Sequence, residues 1–172
     1  EVVATQMSNL GTERFLQDHG VRMHRAKVGD RYVFEELRKR QLTLGGEQSG
    51  HVLFLDKAPT GDGMLTALMA LAAVRKSGKP LEQWIDEIPE YPQVLVNVVV
   101  PVGLRDALST EPKVQSAVRA AEEALGSSGR ILLRPSGTEP LVRVMVEGEE
   151  RQQVNSVAEQ VADAVRQVAA AA

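Results

Sequence analysis

The feature that most constrains the fold is a change of pattern near residue 86. Before it, apolar segments and segments of helical periodicity follow each other as strand, helix, strand, helix, strand, strand, helix. Such alternation is typical of a mostly parallel sheet, because each crossover helix lets the next strand run in the same direction. Residues 1–86 are therefore predicted to form an α/β three-layer domain with a mostly parallel mixed sheet.

A different pattern follows a proline-containing segment, residues 88–92, which we interpret as a linker. Valines at every second position from Val94 to Val100 indicate a strand with one strongly apolar face. A helical stripe over residues 111–125, strands over 131–133 and 141–146, and a last helix marked by valines from Val154 to Val168 complete the region. This order predicts a small α+β domain, residues 87–172, with an antiparallel sheet and two helices.

Composition excludes several classes of function. Hydrophobic residues make up 43% of the 172 residues, which is enough to build a packed core. The net charge of −3 argues against nucleic-acid binding, and no apolar run approaches the ~18 residues of a membrane span. The absence of cysteine is compatible with a reducing cytoplasm, where we expect the protein to act. The chain begins with Glu1 and shows no signal-peptide pattern, so we expect it to be part of a longer protein.

One candidate site is the segment RPSGTEP, residues 134–140. The period of a strand places Arg134 and Arg143 on the face opposite the valines, near one shared turn that contains Ser136, Gly137 and Thr138. Glycine lets neighbouring N–H groups converge on an anion, hydroxyls add donors, and the guanidinium fork matches phosphate oxygens. The segment therefore predicts a phosphate site, and the alternative is a polar hairpin with surface arginines.

The second candidate site is the segment GGEQSGH, residues 45–51. Glu47 would repel a phosphate, but a carboxylate accepts hydrogen bonds well from sugar hydroxyls. Ser49 adds a donor and an acceptor, and His51 could carry a proton or pair with a phosphate. The composition indicates a sugar or polyol site. The alternative is a glycine turn followed by a histidine that only packs.

Two further segments suit helix starts better than ligand binding. The sequence around Asp62 resembles a metal loop but offers one carboxylate, so we predict an N-terminal cap and no metal site in this chain. Asp30 is likewise predicted to cap the helix over residues 31–40. Arg31, which follows it, is a weaker candidate for contact with an anionic ligand.

Together, the two candidate segments resemble loops of the α-D-phosphohexomutases. The first is similar to the sugar-binding loop of that family, and the second to the phosphate-binding loop of its last domain. Further stretches agree, namely VATQMSNLG, AKVGDRYV, TGDG, QVLVNV and LVRVMVEGE. The resemblance covers the whole chain, but it corresponds only to the third and fourth of the four domains of such enzymes.

The resemblance assigns roles to the matching residues. It implies that Glu47 and Ser49 hold sugar hydroxyls and that His51 lies near the reacting end as an acid–base aid. It also implies that four residues grip the phosphate distal to the phosphoserine: Arg134, Ser136, Gly137 and Thr138. The role of Arg143 comes from strand parity alone.

The same resemblance implies what the chain lacks. The phosphoserine loop and the Mg²⁺ loop of the family belong to its first two domains, so this chain is expected to be inactive without the N-terminal half of the enzyme. The complete enzyme is expected to use Mg²⁺ and a bisphosphorylated sugar as activator, and a homodimer is compatible with the sequence. The resemblance favours a hexosamine phosphate as substrate, with mannose or glucose phosphates and a stand-alone sugar-phosphate-binding module as alternatives.

Overall fold

A computed structural model describes residues 1–171. The chain folds into two compact units, one from Glu1 to Glu90 and the other from Tyr91 onward. The division falls within residues 88–92, the segment interpreted above as a linker. Each unit is described separately below, and no helix within residues 1–171 combines the length and apolar character needed to cross a membrane.

Unit 1 contains a four-stranded mixed sheet in the order β2-β1-β3-β4. Strand β1 runs parallel to β2 and β3, and β3 and β4 form an antiparallel hairpin. The mixed α/β architecture is therefore confirmed. The elements of unit 1 are β1 (Val2–Thr5), α1 (Leu10–Asp18), β2 (Met23–Ala26), α2 (Asp30–Arg40), β3 (Leu44–Gly46), β4 (Val52–Phe54), α3 (Gly63–Ser77) and α4 (Leu81–Glu87).

Helix α2 packs its predicted apolar stripe on one face of this sheet. Val33 and Leu37 are fully buried there with Val3 and Leu53. Gly45 in β3 is needed for this packing, because a Cβ at that position would lie 2.8 Å from both the Val3 carbonyl oxygen and Val33 Cγ1. The core of unit 1 thus lies between α2 and the strands that carry the candidate sugar loop.

Polar residues before the helices determine where these helices begin. The Asp62 carboxylate accepts a hydrogen bond from the Leu65 N–H at 3.0 Å, which confirms it as the cap of α3. The prediction that Asp30 caps α2 is wrong. Gly29 is the capping residue, at a φ of 126° that side chains rarely adopt, and this places Asp30 inside the first turn. There, its charge interacts favourably with the helix dipole instead.

Helix α3 is apolar, as predicted, but none of its residues is buried. Helix α4, which we did not predict, follows it after Gly78 and Pro80 and is also without a buried residue. Both helices expose large hydrophobic side chains, namely those of Met64, Leu68, Leu71, Leu81 and Ile85. Unit 1 therefore carries an uncovered apolar surface.

Unit 2 contains a three-stranded antiparallel sheet in the order β5-β7-β6. Its elements are β5 (Gln93–Val99), α5 (Arg105–Thr110), α6 (Pro112–Leu125), a single 3₁₀ turn (Gly126–Ser128), β6 (Gly129–Pro135), β7 (Leu141–Gly148) and α7 (Arg151–Ala171). The antiparallel sheet and both long helices agree with the prediction, while the short helix α5 was not predicted. The α+β architecture is thus confirmed.

The valines of unit 2 form its core. Helices α6 and α7 pack against the face of the sheet that carries Val98, Val142, Val144 and Val146. Because side chains alternate along a strand, every residue between these valines points to the opposite face. That opposite face carries the arginines of the candidate phosphate site.

Candidate functional site

Two arginines stand directly opposite each other where β6 and β7 approach their connecting turn. Arg134 of β6 and Arg143 of β7 are register partners in the antiparallel ladder. The period of both strands therefore places them side by side on the face away from the valine core, as parity predicted. Like charges in this position repel each other, so the arrangement is unfavourable unless an anion lies nearby.

A second cross-strand pair on the same two strands joins an arginine to a carboxylate and shows how a buried charge is compensated. Arg130 stands opposite Glu147, its Nε lies 2.5 Å from the carboxylate, and Glu147 is fully buried. Gln93 donates a further hydrogen bond to this carboxylate at 2.6 Å. The pair at Arg134 and Arg143 has no buried carboxylate of this kind within the described chain.

The lack of a buried carboxylate beside Arg134 and Arg143 affects the pKa of one arginine and the hydrogen bonding of the other. Partial burial, and then the charge of Arg143, lower the pKa of Arg134. Arg143 pairs at 2.7 Å with Glu139, which is exposed, and its Nε is buried without a partner. The site therefore holds two cations and a donor that no protein group among residues 1–171 accepts.

The turn between the two strands leaves two backbone N–H groups for a ligand. Pro135 and Pro140 have no N–H. The N–H groups of Ser136, Glu139 and Leu141 all have acceptors inside the turn, at 2.9, 3.3 and 2.8 Å respectively. Within residues 1–171 the N–H groups of Gly137 and Thr138 have no acceptor, and both residues are exposed. Exposed N–H groups without a protein acceptor bind water, which an anion can displace, so these two groups are candidates for an anion site.

Arg105, at the start of α5, also contacts this turn, although the sequence analysis missed it. Its Nη1 donates to the carbonyl oxygen of Ser136 at 2.7 Å and to that of Gly137 at 3.3 Å. No local motif marks this arginine in the sequence, and only the folded unit brings it to a loop 31 residues away.

The other candidate loop is the turn of the β3–β4 hairpin. The Glu47 N–H donates to the His51 carbonyl oxygen at 2.8 Å, and the Gly50 N–H donates to the Glu47 carbonyl oxygen at 3.0 Å. Gly50 has a φ of 93°, which the tight turn requires and glycine adopts readily. The turn leaves Ser49 and His51 exposed at its tip.

The Glu47 side chain points back into unit 1 and is only 10% exposed. One carboxylate oxygen accepts from the Gly29 N–H at 2.8 Å, while the other lies 3.9 Å from His51 Nδ1. A backbone donor thus fixes the carboxylate and leaves its second oxygen as an acceptor close to an imidazole. The structure therefore places Glu47 and His51 side by side in one turn.

Arg31 lies on the exposed surface of α2. Its Nε pairs with Glu35 one turn later at 2.8 Å, and this hydrogen bond raises the pKa of Arg31. An anionic ligand would have to compete with Glu35 for this guanidinium. As for metals, residues 1–171 contain no group of three or more His, Asp or Glu side chains arranged to hold an ion.

Both units match domains of one known protein family. Residues 1–91 match the family model for phosphoglucomutase/phosphomannomutase, alpha/beta/alpha domain III, and residues 95–164 match the model for the C-terminal domain of the same family. The chain belongs to the phosphoglucomutase/phosphomannomutase family. This confirms the phosphohexomutase resemblance that the two loops suggested.

Curated relatives narrow the comparison within this family. The chain is 55% identical over 169 residues to the phosphoglucosamine mutase of Thioalkalivibrio sulfidiphilus, and 51% identical over 170 residues to that of Deinococcus radiodurans. These matches cover 98% and 99% of the chain. In both cases the chain spans only 38% of the relative's length.

Solved structures share the fold. The N-acetylphosphoglucosamine mutase of Aspergillus fumigatus superposes with a TM-score of 0.83 at 21% identity, covering 98% of this chain and 38% of that one. A structure of the same enzyme in complex with GlcNAc-6P and magnesium gives a TM-score of 0.80 at 22% identity, with coverages of 98% and 39%. At these identities the likeness shows the fold of the chain.

Proposed function

We propose that this chain is the substrate-recognition part of a phosphoglucosamine mutase, which in its complete form interconverts glucosamine 6-phosphate and glucosamine 1-phosphate. The names of the closely similar relatives support this assignment. The observation that carries it is the directly opposed pair of Arg134 and Arg143, of which, in the described chain, only Arg143 has a carboxylate partner, the exposed Glu139. Beside this pair lie the N–H groups of Gly137 and Thr138, which have no acceptor within residues 1–171.

In this proposal the opposed arginines bind the phosphate that does not react. A phosphate dianion placed between the two guanidinium groups removes their mutual repulsion and accepts the buried Nε–H of Arg143. Each charge-assisted hydrogen bond contributes about 1.5–3 kcal/mol. The Ser136 hydroxyl oxygen accepts from the Glu139 N–H, so the hydroxyl proton remains available to the ligand.

The β3–β4 turn binds the sugar. The second carboxylate oxygen of Glu47 accepts from a sugar hydroxyl, while the Gly29 N–H holds the first oxygen in place. Ser49 contributes a hydroxyl from the exposed tip of the turn. His51 Nδ1 lies 3.9 Å from the Glu47 carboxylate, so an imidazole that can carry a proton stands beside the group that accepts the sugar hydroxyl.

Binding at these groups serves catalysis by positioning. Contacts to the distal phosphate and to the sugar hold the substrate with its reacting phosphate oriented, and they are the same in the ground state and in the transition state. The nucleophilic serine and the Mg²⁺ ligands belong to the part of the enzyme that precedes this chain, and a bisphosphorylated sugar acts as activator. The Aspergillus fumigatus neighbour has been solved with GlcNAc-6P and magnesium, and a variant of that enzyme has been solved with glucose 1,6-bisphosphate.

Steady-state kinetics of the complete enzyme test the phosphate site. Arg134→Ala is expected to lower kcat/KM by about tenfold or more, or ~1.4 kcal/mol. Arg166→Ala is a matched control, because Arg166 lies on α7 and pairs with its neighbours Glu159 and Asp163. An unchanged kcat/KM for Arg134→Ala would remove this arginine from the anchor site.

Two more measurements test the assignment to the enzyme. The isolated chain, supplied with Mg²⁺ and a bisphosphorylated sugar, is expected to show no mutase turnover. Turnover by the complete enzyme on glucosamine, glucose and mannose phosphates is expected to be fastest with glucosamine phosphate. Faster turnover of glucose or mannose phosphate would instead assign the chain to a phosphoglucomutase or phosphomannomutase.

A further inference from the structure

We propose that Arg105 is a positioning residue of the phosphate site, and that it turns the N–H groups of Gly137 and Thr138 toward the ligand. The inference rests on the proposed function of the β6–β7 turn and deepens it. It assigns a role to a residue outside the loop and outside both strands.

The argument follows from the geometry of two consecutive peptide groups. Arg105 Nη1 binds the carbonyl oxygens of Ser136 and Gly137. Each of these carbonyls shares a planar peptide group with the next N–H, that of Gly137 or Thr138. In a trans peptide the C=O and the N–H point in opposite directions, and no peptide in the described chain is cis. Arg105 therefore directs both N–H groups away from itself and toward the same side.

No other contact among residues 1–171 fixes these two peptide groups. The remaining internal hydrogen bonds of the turn involve Ser136, Glu139 and Leu141, which close its ends. Around Gly137 an added Cβ would meet no atom within 4 Å, so packing does not restrain the backbone there. Consecutive N–H groups on one side form an anion-binding nest, and glycine reaches that conformation only at an entropic cost.

Arg105 is itself well placed for this task. It is the first residue of α5, and α5 is anchored in the core of unit 2 by Leu108. Its guanidinium also approaches Asp106 at 3.6 Å. Since the carbonyl dipoles face Arg105, they do not face the bound anion, which strengthens the site in addition to presenting the donors.

Kinetics of the complete enzyme provide the first test. Arg105→Ala is expected to raise KM for the sugar phosphate by about tenfold with a smaller change in kcat, because the anchor contacts are the same in the ground state and the transition state. Arg105→Lys retains the charge and N–H donors but not the planar guanidinium fork, and is expected to give an intermediate KM. Arg166→Ala serves again as the control, with an unchanged KM.

Hydrogen exchange of the complete enzyme provides the second test, with inorganic phosphate as the probe. Phosphate is expected to slow exchange in residues 135–141 of the wild type and of Arg166→Ala, but not of Arg105→Ala. Exchange in β6 and β7 without phosphate should match the wild type for both Arg105→Ala and Arg105→Lys, so that a folding defect is recognised.

The outcomes separate the inference from the function on which it rests. If Arg105→Ala behaves like Arg166→Ala while Arg134→Ala loses activity, the positioning role is wrong and the phosphate site stands. If Arg134→Ala has no effect, the proposed function fails and this inference fails with it.

A separate observation supports a second proposal, about an interaction surface. We infer that the apolar surface formed by Met64, Leu68, Leu71, Leu81 and Ile85 packs against the polypeptide that precedes this chain in the complete protein. The first three side chains are 78%, 62% and 66% exposed, and no residue of α3 or α4 is buried. Met64, Leu68 and Leu71 recur at helical spacing and therefore lie along one face of α3, and exposed apolar side chains gathered on one face mark an interaction site.

The occupant follows from the family comparison. The chain matches domain III and the C-terminal domain, and it spans 38% of the length of the phosphoglucosamine mutases. The share of those relatives that it does not match therefore lies on the N-terminal side, which places the missing partner next to unit 1 in sequence. An intramolecular partner is also favoured because its effective concentration is high.

A charge placed on this surface tests the proposal. In the complete enzyme Leu68→Lys is expected to lower the thermal unfolding midpoint, because it buries a charge, whereas Ala120→Lys at an exposed position of α6 is not. An unfolding midpoint for Leu68→Lys equal to that of Ala120→Lys would refute the proposal. If Leu68→Lys instead converts a dimer to a monomer at an unchanged midpoint, the occupant is a second copy and the proposal is wrong.

Discussion

Two arginines of β6 allow matched substitutions with opposite expected effects. Arg130 and Arg134 lie on the same face of the same strand, and each stands directly opposite a residue of β7. Arg130 faces the buried carboxylate of Glu147, whereas Arg134 faces the like charge of Arg143. Arg130→Gln and Arg134→Gln therefore remove the same charge from two contrasting environments.

The expected cost of Arg130→Gln is large. The substitution leaves a fully buried carboxylate with the Gln93 hydrogen bond at 2.6 Å and without the charge that stood opposite it. Breaking a buried ion pair by removing one partner costs about 3 kcal/mol or more. For a domain of this size such a loss lowers the unfolding midpoint by about 12 °C or more.

Arg134→Gln is expected to have the opposite effect on stability. Removing one of two directly opposed like charges stabilises by up to about 1 kcal/mol. The same substitution removes a guanidinium from the proposed phosphate site, so the affinity for inorganic phosphate is expected to fall by about tenfold or more. Both results together would show that Arg134 contributes to phosphate binding at the expense of the free protein's stability.

Thermal unfolding of this chain, with and without inorganic phosphate, is the assay. The single tryptophan, Trp84, lies in unit 1, so unfolding of unit 2 should be followed by hydrogen exchange of α6 and α7. Wild type and Arg130→Gln should gain stability on addition of phosphate, and Arg134→Gln should gain little. If Arg134→Gln destabilises unit 2 as much as Arg130→Gln, then Arg134 is a structural residue and the reasoning is refuted.

Three further predictions concern unit 1. Gly45→Ala places a Cβ 2.8 Å from the Val3 carbonyl oxygen and is expected to destabilise the unit by about 1–3 kcal/mol in denaturant unfolding. Asp62→Ala removes the cap of α3 and should cost about 1 kcal/mol in the same measurement. The hydrogen bond from Arg40 lowers the pKa of Glu36 below 4.5, so its stabilising effect should be lost as the pH falls through that lowered pKa. Glu36→Gln should therefore be less stable than wild type at neutral pH, with the difference vanishing in acid.

Some elements could not be predicted because tertiary contacts define them. Helix α5 has six residues and only one buried side chain, Leu108, so its sequence carries no helical stripe. The start of α2 was misplaced because Gly29 takes a positive φ and donates its N–H to Glu47, which lies 18 residues later. A side-chain acceptor so distant leaves no signal in the local sequence.

The sequence by itself determined the period of the longer strands and helices and the side chains that the two loops present. Val142, Val144 and Val146 in β7, and Ile131 and Leu133 in β6, mark the face that packs against the helices. Arg134 and Arg143 therefore share the other face, because strand parity is a local property. Only the tertiary structure decided that Glu147 compensates Arg130, that Arg143 stands opposite Arg134 and that Arg105 reaches the turn. These contacts join residues distant in sequence, and their geometry depends on strand register and on the packing of α5, neither of which a local pattern encodes.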